Sequence, residues 1–294
     1  MKSFLSVRDL GPDEMRSLVE KASELRDVLD LGGEVEPVLR QRCVANLFFE
    51  PSTRTRLSFD LAARRLGADV ITFNPETAST SKGESLRDTA LTVSSMGVDV
   101  LVVRHRDDGV PRAVSEWTGV PVVNAGDGTN EHPTQALVDL VTMQRHFGAL
   151  EGIHLGIVGD ISHSRVAGSL VAAAMSLGVR VTLIAPEHWL PSGVAVPARN
   201  DLDGALADLD VVYLLRVQTE RGGQISDEYV ERFQLGKDRL GSLGEKTIVM
   251  HPGPINRGVE LSDDVADSPR SHILEQVRNG VPCRMTVLRA LVAT

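Results

Sequence analysis

The chain has 294 residues, 42% hydrophobic and 24% charged, enough for two domains of roughly 100–150 residues with a core each and too apolar for a disordered chain. Its net charge of −9 argues against nucleic acid or an anionic membrane as partners, since both need basic surfaces; an anionic substrate would require a locally basic pocket. Charge interrupts the opening Met1-Lys2-Ser3-Phe4-Leu5-Ser6-Val7-Arg8 too early for a signal peptide, and no apolar run reaches the roughly 18 residues of a spanning helix. The expected location is therefore cytoplasmic. Cys43 and Cys283 lie far apart with no CxxC or neighbouring histidine, so both are expected as buried small hydrophobes, with no disulfide and no metal site.

Gly11-Pro12-Asp13-Glu14, followed by Met15, Leu18, Val19, Ala22 and Leu25 at helical spacing, predicts a helix running to about residue 31. Short β-rich runs follow at 44–49, 70–73, 98–103 and 120–124, with helical patterns at 56–66 and 85–95 between them. Residues 133–147 predict one long helix carrying the domain junction. Strands then recur at 155–158, 181–185, 211–215 and 247–250, with a helix at 164–177 closed by Gly178. The carboxy-terminal stretch reads as two helices, 273–279 and 285–292, the last packing back on the first domain. Strand–helix alternation implies an α/β fold of two domains, each a parallel sheet covered by helices.

The strand ending Phe48-Phe49 runs through Glu50-Pro51 into Ser52-Thr53-Arg54-Thr55-Arg56 and a helix. That turn combines free backbone N–H groups, the positive end of a helix, three hydroxyls and a guanidinium fork, all donors for phosphate oxygens. Capping alone would need fewer hydroxyls. The loop Thr77-Ala78-Ser79-Thr80-Ser81-Lys82-Gly83-Glu84 is a weaker anion site, because Ser81 and Glu84 also fit a capping box for the next helix.

Gly126-Asp127-Gly128-Thr129-Asn130-Glu131-His132-Pro133-Thr134-Gln135 delivers His132 and Gln135, one turn apart, to the junction helix. Arg104 follows a strand, as do Asp160-Ile161-Ser162-His163-Ser164-Arg165 and Arg216-Val217-Gln218. Arg216 and Gln218 can face one way in an extended segment, and several arginines at strand ends suit an acid with more than one carboxylate. Gly156-Ile157-Val158-Gly159 departs from GxGxxG, which argues against a nicotinamide dinucleotide. His251-Pro252-Gly253-Pro254 ends the last strand, with prolines that fix carbonyl directions and cannot donate.

Phe48-Phe49-Glu50-Pro51-Ser52-Thr53-Arg54-Thr55-Arg56, Asp127-Gly128-Thr129-Asn130-Glu131-His132-Pro133-Thr134-Gln135, Arg216-Val217-Gln218 and His251-Pro252-Gly253-Pro254, in this order, closely resemble the catalytic chains of aspartate carbamoyltransferases, nearly end to end. Ornithine carbamoyltransferases share the first motif but typically carry HCLP where this chain has His251-Pro252-Gly253. The resemblance implies transfer of the carbamoyl group of carbamoyl phosphate to L-aspartate, in a cleft between a carbamoyl-phosphate-binding domain (1–134 with 282–294) and an aspartate-binding domain (135–281), bridged by interdomain helices. No cofactor is implied.

By the same resemblance Ser52, Thr53, Arg54 and Thr55 hold the phosphate, with Arg104 on phosphate and carbonyl. His132 joins Thr55 and Arg104 at the carbonyl oxygen, and Gln135 with the backbone at Pro252, Gly253 and Pro254 holds the carbamoyl amide. Arg165, Arg216 and Gln218 bind the aspartate carboxylates. A homotrimer is implied in which Lys82 enters the neighbour's active site, serving both substrates, and Glu50 pairs with Arg165 and Arg221 on closure. Ala78 stands where the family usually has a phosphate-binding serine, a role that Ser79 could take over. Association with a regulatory chain or a dihydroorotase stays open, as do transfer to another amino acid and a weakly active trimeric scaffold.

Overall fold

The computed structural model describes residues 1–73, 83–191, 196–218 and 225–292. The chain divides into two compact units, Met1–Val141 with Val277–Thr294, and Thr142–Gln276.

In chain order the first unit contains α1 (Pro12–Asp30), β1 (Cys43–Phe48), α2 (Thr53–Arg65), β2 (Asp69–Phe73), α3 (Leu86–Ser94), β3 (Val100–His105), α4 (Val110–Thr118) and β4 (Val122–Asp127). Helix α5 (Pro133–Phe147) then carries the chain into the second unit. There follow β5 (His154–Val158), α6 (Arg165–Ser176), β6 (Arg180–Ile184), β7 (Ala198–Arg199), α7 (Asp203–Leu206), β8 (Val211–Leu214), α8 (Asp227–Phe233), β9 (Ile248–Met250) and α9 (Asp263–Ala266). Helix α10 (Ile273–Val292) returns the chain to the first unit.

Every strand pairing among the described residues is parallel, as the strand–helix alternation implies. The first sheet has the order β2-β1-β3-β4 and the second β7-β6-β5-β8-β9. In the first, Ala45, Leu47, Leu101, Val103 and Val122 present one apolar face, which Ala90 and Val93 of α3 and Val114 of α4 cover. In the second, Val166, Ala167, Leu170, Ala173 and Ala174 of α6 are buried, as is β5 beyond its first residue. A strand covered on both faces reads as a continuous apolar run.

The strand order has a consequence for function. In each sheet the chain leaves the first strand in one direction and later returns to its other side, so β1 lies beside β3 and β5 beside β8. These are the topological switch points, outside whose carboxyl ends open α/β sheets bind ligands.

Three local expectations need correction. The carboxy-terminal stretch is one helix, α10, with Pro282 inside it. Interior proline costs about 3 kcal/mol, but Cys283, Met285, Val287, Leu288 and Leu291 are buried beyond it, at about 1.5–3 kcal/mol for each large apolar side chain. The cap of α3 is Ser85, whose hydroxyl accepts from the Asp88 N–H at 3.1 Å, while Glu84 accepts from the Thr89 hydroxyl at 3.0 Å. Ser81, the expected cap, lies outside the described residues. Cys43 is only part-buried, because it opens a strand, whereas Cys283 is buried and its thiol is pushed up to about 12 by desolvation.

Candidate active site

The phosphate-type turn sits where β1 ends. Ser52 is the N-cap residue of α2, in extended conformation, yet its hydroxyl makes no capping bond. Thr55 is buried in the first turn, and Arg54 is solvent-accessible although neighbouring chain removes enough water to lower its pKa. The first N–H groups of a helix have no intrahelical acceptor, so this end presents oriented donors to an anion.

Arg104 comes to the same place through the sheet. In the parallel register of β3 on β1 it pairs with Phe48, two residues before Glu50, and its Nε lies 3.3 Å from Glu50 Oε2. Its Nη1 reaches the Ala125 carbonyl at 3.4 Å, which links it to β4. A guanidinium held by a carboxylate and a carbonyl keeps its direction without a ligand.

The loop after β4 is built around Asp127. Its two oxygens accept from the Gly109 N–H at 2.7 Å and the Asn130 amide at 2.8 Å, and desolvation raises its pKa. Gly128 has φ +48°, and a Cβ there would collide with the Asp108 carboxylate, which accepts from the Thr129 N–H at 2.7 Å. The loop closes on buried Glu131, which receives the Ser6 hydroxyl at 2.5 Å, the Val7 N–H at 3.1 Å and Arg8 Nη1 at 2.6 Å. His132, next in sequence, is buried, with Nδ1 3.5 Å from the Thr134 hydroxyl. Gln135 donates through Nε2 to Asp139 Oδ1 at 2.9 Å. The motif reading gave Glu131 no role and missed Asp139; a carboxyl four residues after Gln135 on a helix was the available signal for Asp139.

In the second unit Arg165 opens α6 just after β5, and Arg216 and Gln218 follow β8. Arg216 Nη2 donates to Gln218 Oε1 at 3.3 Å, so the two side chains do face one way. Buried Asp160 ties the two strand ends together: its Oδ2 accepts from the Gln218 N–H at 2.9 Å and its Oδ1 lies 2.6 Å from His163 Nδ1. Gly159, at φ +113°, lets the chain pass beneath Tyr229, whose hydroxyl would stand 2.9 Å from a Cβ. The Val217 N–H donates to buried Glu260 at 3.0 Å, and burial raises the pKa of that carboxyl.

After β9, His251 Nδ1 accepts from the Gly253 N–H at 2.8 Å, while the His251 N–H donates to Gln276 Oε1 at 2.9 Å. These bonds set the direction of the Pro252–Gly253–Pro254 carbonyls. Ser79, Lys82 and Arg221 lie outside the described residues, as does Ala78.

Thus the structure brings Ser52, Thr53, Arg54, Thr55 and Arg104 to one switch point, with His132 and Gln135 following the neighbouring strand β4. It brings Arg165, Arg216 and Gln218 to the other, with Pro252, Gly253 and Pro254 after the adjacent β9. Residues 2–145 match the model of the aspartate/ornithine carbamoyltransferase carbamoyl-P binding domain, and residues 151–291 that of the Asp/Orn binding domain. The chain is 50% identical to the aspartate carbamoyltransferase catalytic subunit of Acidothermus cellulolyticus, over 99% of this chain and 93% of that one. It is 49% identical to the corresponding subunit of Thermobifida fusca, over 99% and 96%. Among solved structures, aspartate transcarbamoylase from Trypanosoma cruzi in complex with carbamoyl aspartate and phosphate superposes with a TM-score of 0.88 at 34% identity, covering 98% of this chain and 94% of that one. The catalytic subunit of M. jannaschii aspartate transcarbamoylase gives 0.88 at 35%, covering 100% and 98%. The chain belongs to the aspartate/ornithine carbamoyltransferase family.

Proposed function

We propose that this chain is an aspartate carbamoyltransferase, which transfers the carbamoyl group of carbamoyl phosphate to the amine of L-aspartate in cytoplasmic de novo pyrimidine biosynthesis. The observation that carries the reading is the α2 amino terminus, where Ser52 leaves its hydroxyl out of the cap and Arg104 is held nearby in strand register. Related structures of the Trypanosoma cruzi enzyme contain carbamoyl phosphate with aspartate, which supports these substrates.

Ser52, Thr53, Arg54 and Thr55 take the phosphate, with Arg104 on phosphate and carbonyl oxygen. As the aspartate amine attacks the carbamoyl carbon, charge grows on the carbonyl oxygen, where Thr55, Arg104 and His132 supply fixed donors. The C–O bond to phosphate then breaks, and the departing phosphate can accept the proton released by the amine. No protein nucleophile is needed. Gln135 accepts from the carbamoyl amide, with the carbonyls of Pro252, Gly253 and Pro254 as further acceptors. Arg165, Arg216 and Gln218 bind the aspartate carboxylates, a role suited to guanidinium forks. Orientation of the two substrates supplies much of the remaining rate gain.

The working form in this reading is a homotrimer, with Ser79 and Lys82 of one subunit completing the site of the next. A colorimetric assay for carbamoyl-aspartate tests the function. Product from carbamoyl phosphate and L-aspartate, with ornithine and other amino acids inert, is expected. Activity only with another acceptor would redirect the reading, and turnover no faster than the uncatalysed reaction would leave a trimeric scaffold.

A further inference from the structure

Gln135 and Asp139 lie one turn apart on the same face of α5 and are both buried, with Nε2 of Gln135 2.9 Å from Oδ1 of Asp139. A side-chain amide has two chemically opposite ends, an oxygen that accepts and an NH2 that donates, and the hydrogen-bond partner decides which way each points. A carboxylate only accepts. It therefore takes the NH2 end of Gln135 and leaves the amide oxygen to point the other way.

Two buried arginines share the region of Asp139. Arg284 of α10 is fully buried over the Phe59 ring, 5.2 Å from its centroid, and donates to the Gly280 carbonyl at 2.8 Å. Desolvation lowers its pKa to about 10, and the charge of Asp139 is among the influences that keep it protonated. Arg26, which donates to Asn279 Oδ1 at 2.6 Å, adds a second cation in the same buried region, its charge opposing that of Asp139 at the Cys283 thiol.

We infer that Asp139 is a positioning residue that locks the Gln135 amide with its oxygen toward the ligand, so that the site prefers an acyl phosphate bearing NH2 over one bearing CH3. The inference rests on the proposed role of Gln135 at the carbamoyl amide. An NH2 turned toward the ligand would meet the carbamoyl NH2 donor to donor, whereas a methyl group would be indifferent to the flip. In this scheme Asp139 touches no substrate and acts on it through Gln135.

The test compares carbamoyl phosphate with acetyl phosphate, which has the same phosphate and carbonyl but CH3 in place of NH2. Asp139→Asn keeps the volume but can donate to the Gln135 oxygen and so permits the flip. The KM for carbamoyl phosphate should rise about tenfold to a hundredfold, the effect of one misdirected buried hydrogen bond, while the inhibition constants of acetyl phosphate and inorganic phosphate stay within about twofold. In a Gln135→Ala background the same substitution should then change nothing further.

A parallel loss for all three ligands would mean that Asp139 only supports the fold and would overturn the inference, as would an unchanged preference. If Asp139→Asn does not fold, Asp139→Ser, whose hydroxyl can donate or accept, is read by the same ratio. A wild-type protein that makes carbamoyl-aspartate but does not distinguish the two acyl phosphates would overturn the Gln135 role and this inference with it. A wild-type protein that makes none would instead count against the proposed function.

Discussion

The backbone N–H of Gln218 donates to Oδ2 of Asp160 over 2.9 Å, joining the carboxyl ends of β8 and β5 at the second unit's switch point. With His163 on its other oxygen at 2.6 Å, this buried carboxylate sets the segment that carries Arg216 and Gln218. Asp160→Asn leaves one oxygen for two donors. The KM for aspartate should rise about tenfold, from a loss of order 1–3 kcal/mol in a buried polar network, with the KM for carbamoyl phosphate unchanged. Steady-state kinetics with each substrate varied will show the split, and equal changes in both constants would rule out a local role.

Arg104 is expected to matter most after the substrates are bound. Its guanidinium is held by Glu50 and the Ala125 carbonyl, so in the proposed mechanism it meets the developing oxyanion without reorganisation. Arg104→Ala should lower kcat about 10²–10³-fold, as for loss of one oxyanion donor, with the melting temperature close to wild type. A fall in kcat smaller than about threefold would remove Arg104 from the reacting centre.

Ala78 supplies a prediction in the opposite direction. If the hydroxyl usual at this position binds phosphate across the trimer, Ala78→Ser restores one neutral hydrogen bond, about 0.5–1.5 kcal/mol, or roughly twofold to tenfold in kcat/KM for carbamoyl phosphate. Unchanged kcat and KM in the variant would show that Ser79 already fills the role or that no contact is missing.

The second unit should also lose stability in mild acid. Desolvation and the neighbouring His272, whose ring lies edge-on at 4.7 Å, hold the His146 pKa below its ordinary value, against a smaller opposing effect of the Lys246 carbonyl. The unfolded chain therefore binds this proton more readily than the folded one. As pH falls below about 6.5, protonation favours unfolding until the lowered folded pKa is reached; above about 6.5 the residue contributes no pH dependence. Melting curves between those limits should fall more steeply for wild type than for His146→Gln. Parallel curves would remove His146 as the cause.

Much of the site was legible before the structure because its signals are local. A strand running into Ser52-Thr53-Arg54-Thr55 and a helix already specifies oriented donors at a strand end, and the alternation of strands and helices implies parallel sheets. The positions of His132, Arg165 and Arg216 after strands followed from the same periodicity, whereas Arg104, expected just past a strand, lies inside β3 because the pairing with β1 extends to Phe48. The amino-terminal end of α3 was misassigned because Ser81 and Ser85 both offer a capping hydroxyl, and the choice between them rests on which one the folded backbone reaches. The carboxy-terminal stretch divides into two helices by pattern because the penalty of Pro282 between them is local, while the burial that outweighs it comes from distant segments.

By itself, then, the sequence determined the order of the main strands, the two-unit α/β class and the chemical character of each strand-end loop, though not α4, β7, α7, α8 or α9. Tertiary structure alone decided that β1 pairs with β3 and β5 with β8, and thus which loops share a switch point. It also decided that Asp139 and Asp160 are buried, bonded to the Gln135 side chain and the Gln218 backbone. The physical reason is that strand order and burial depend on contacts between segments far apart in the chain. Periodicity marks which face of an element is apolar, but not which neighbour will cover it.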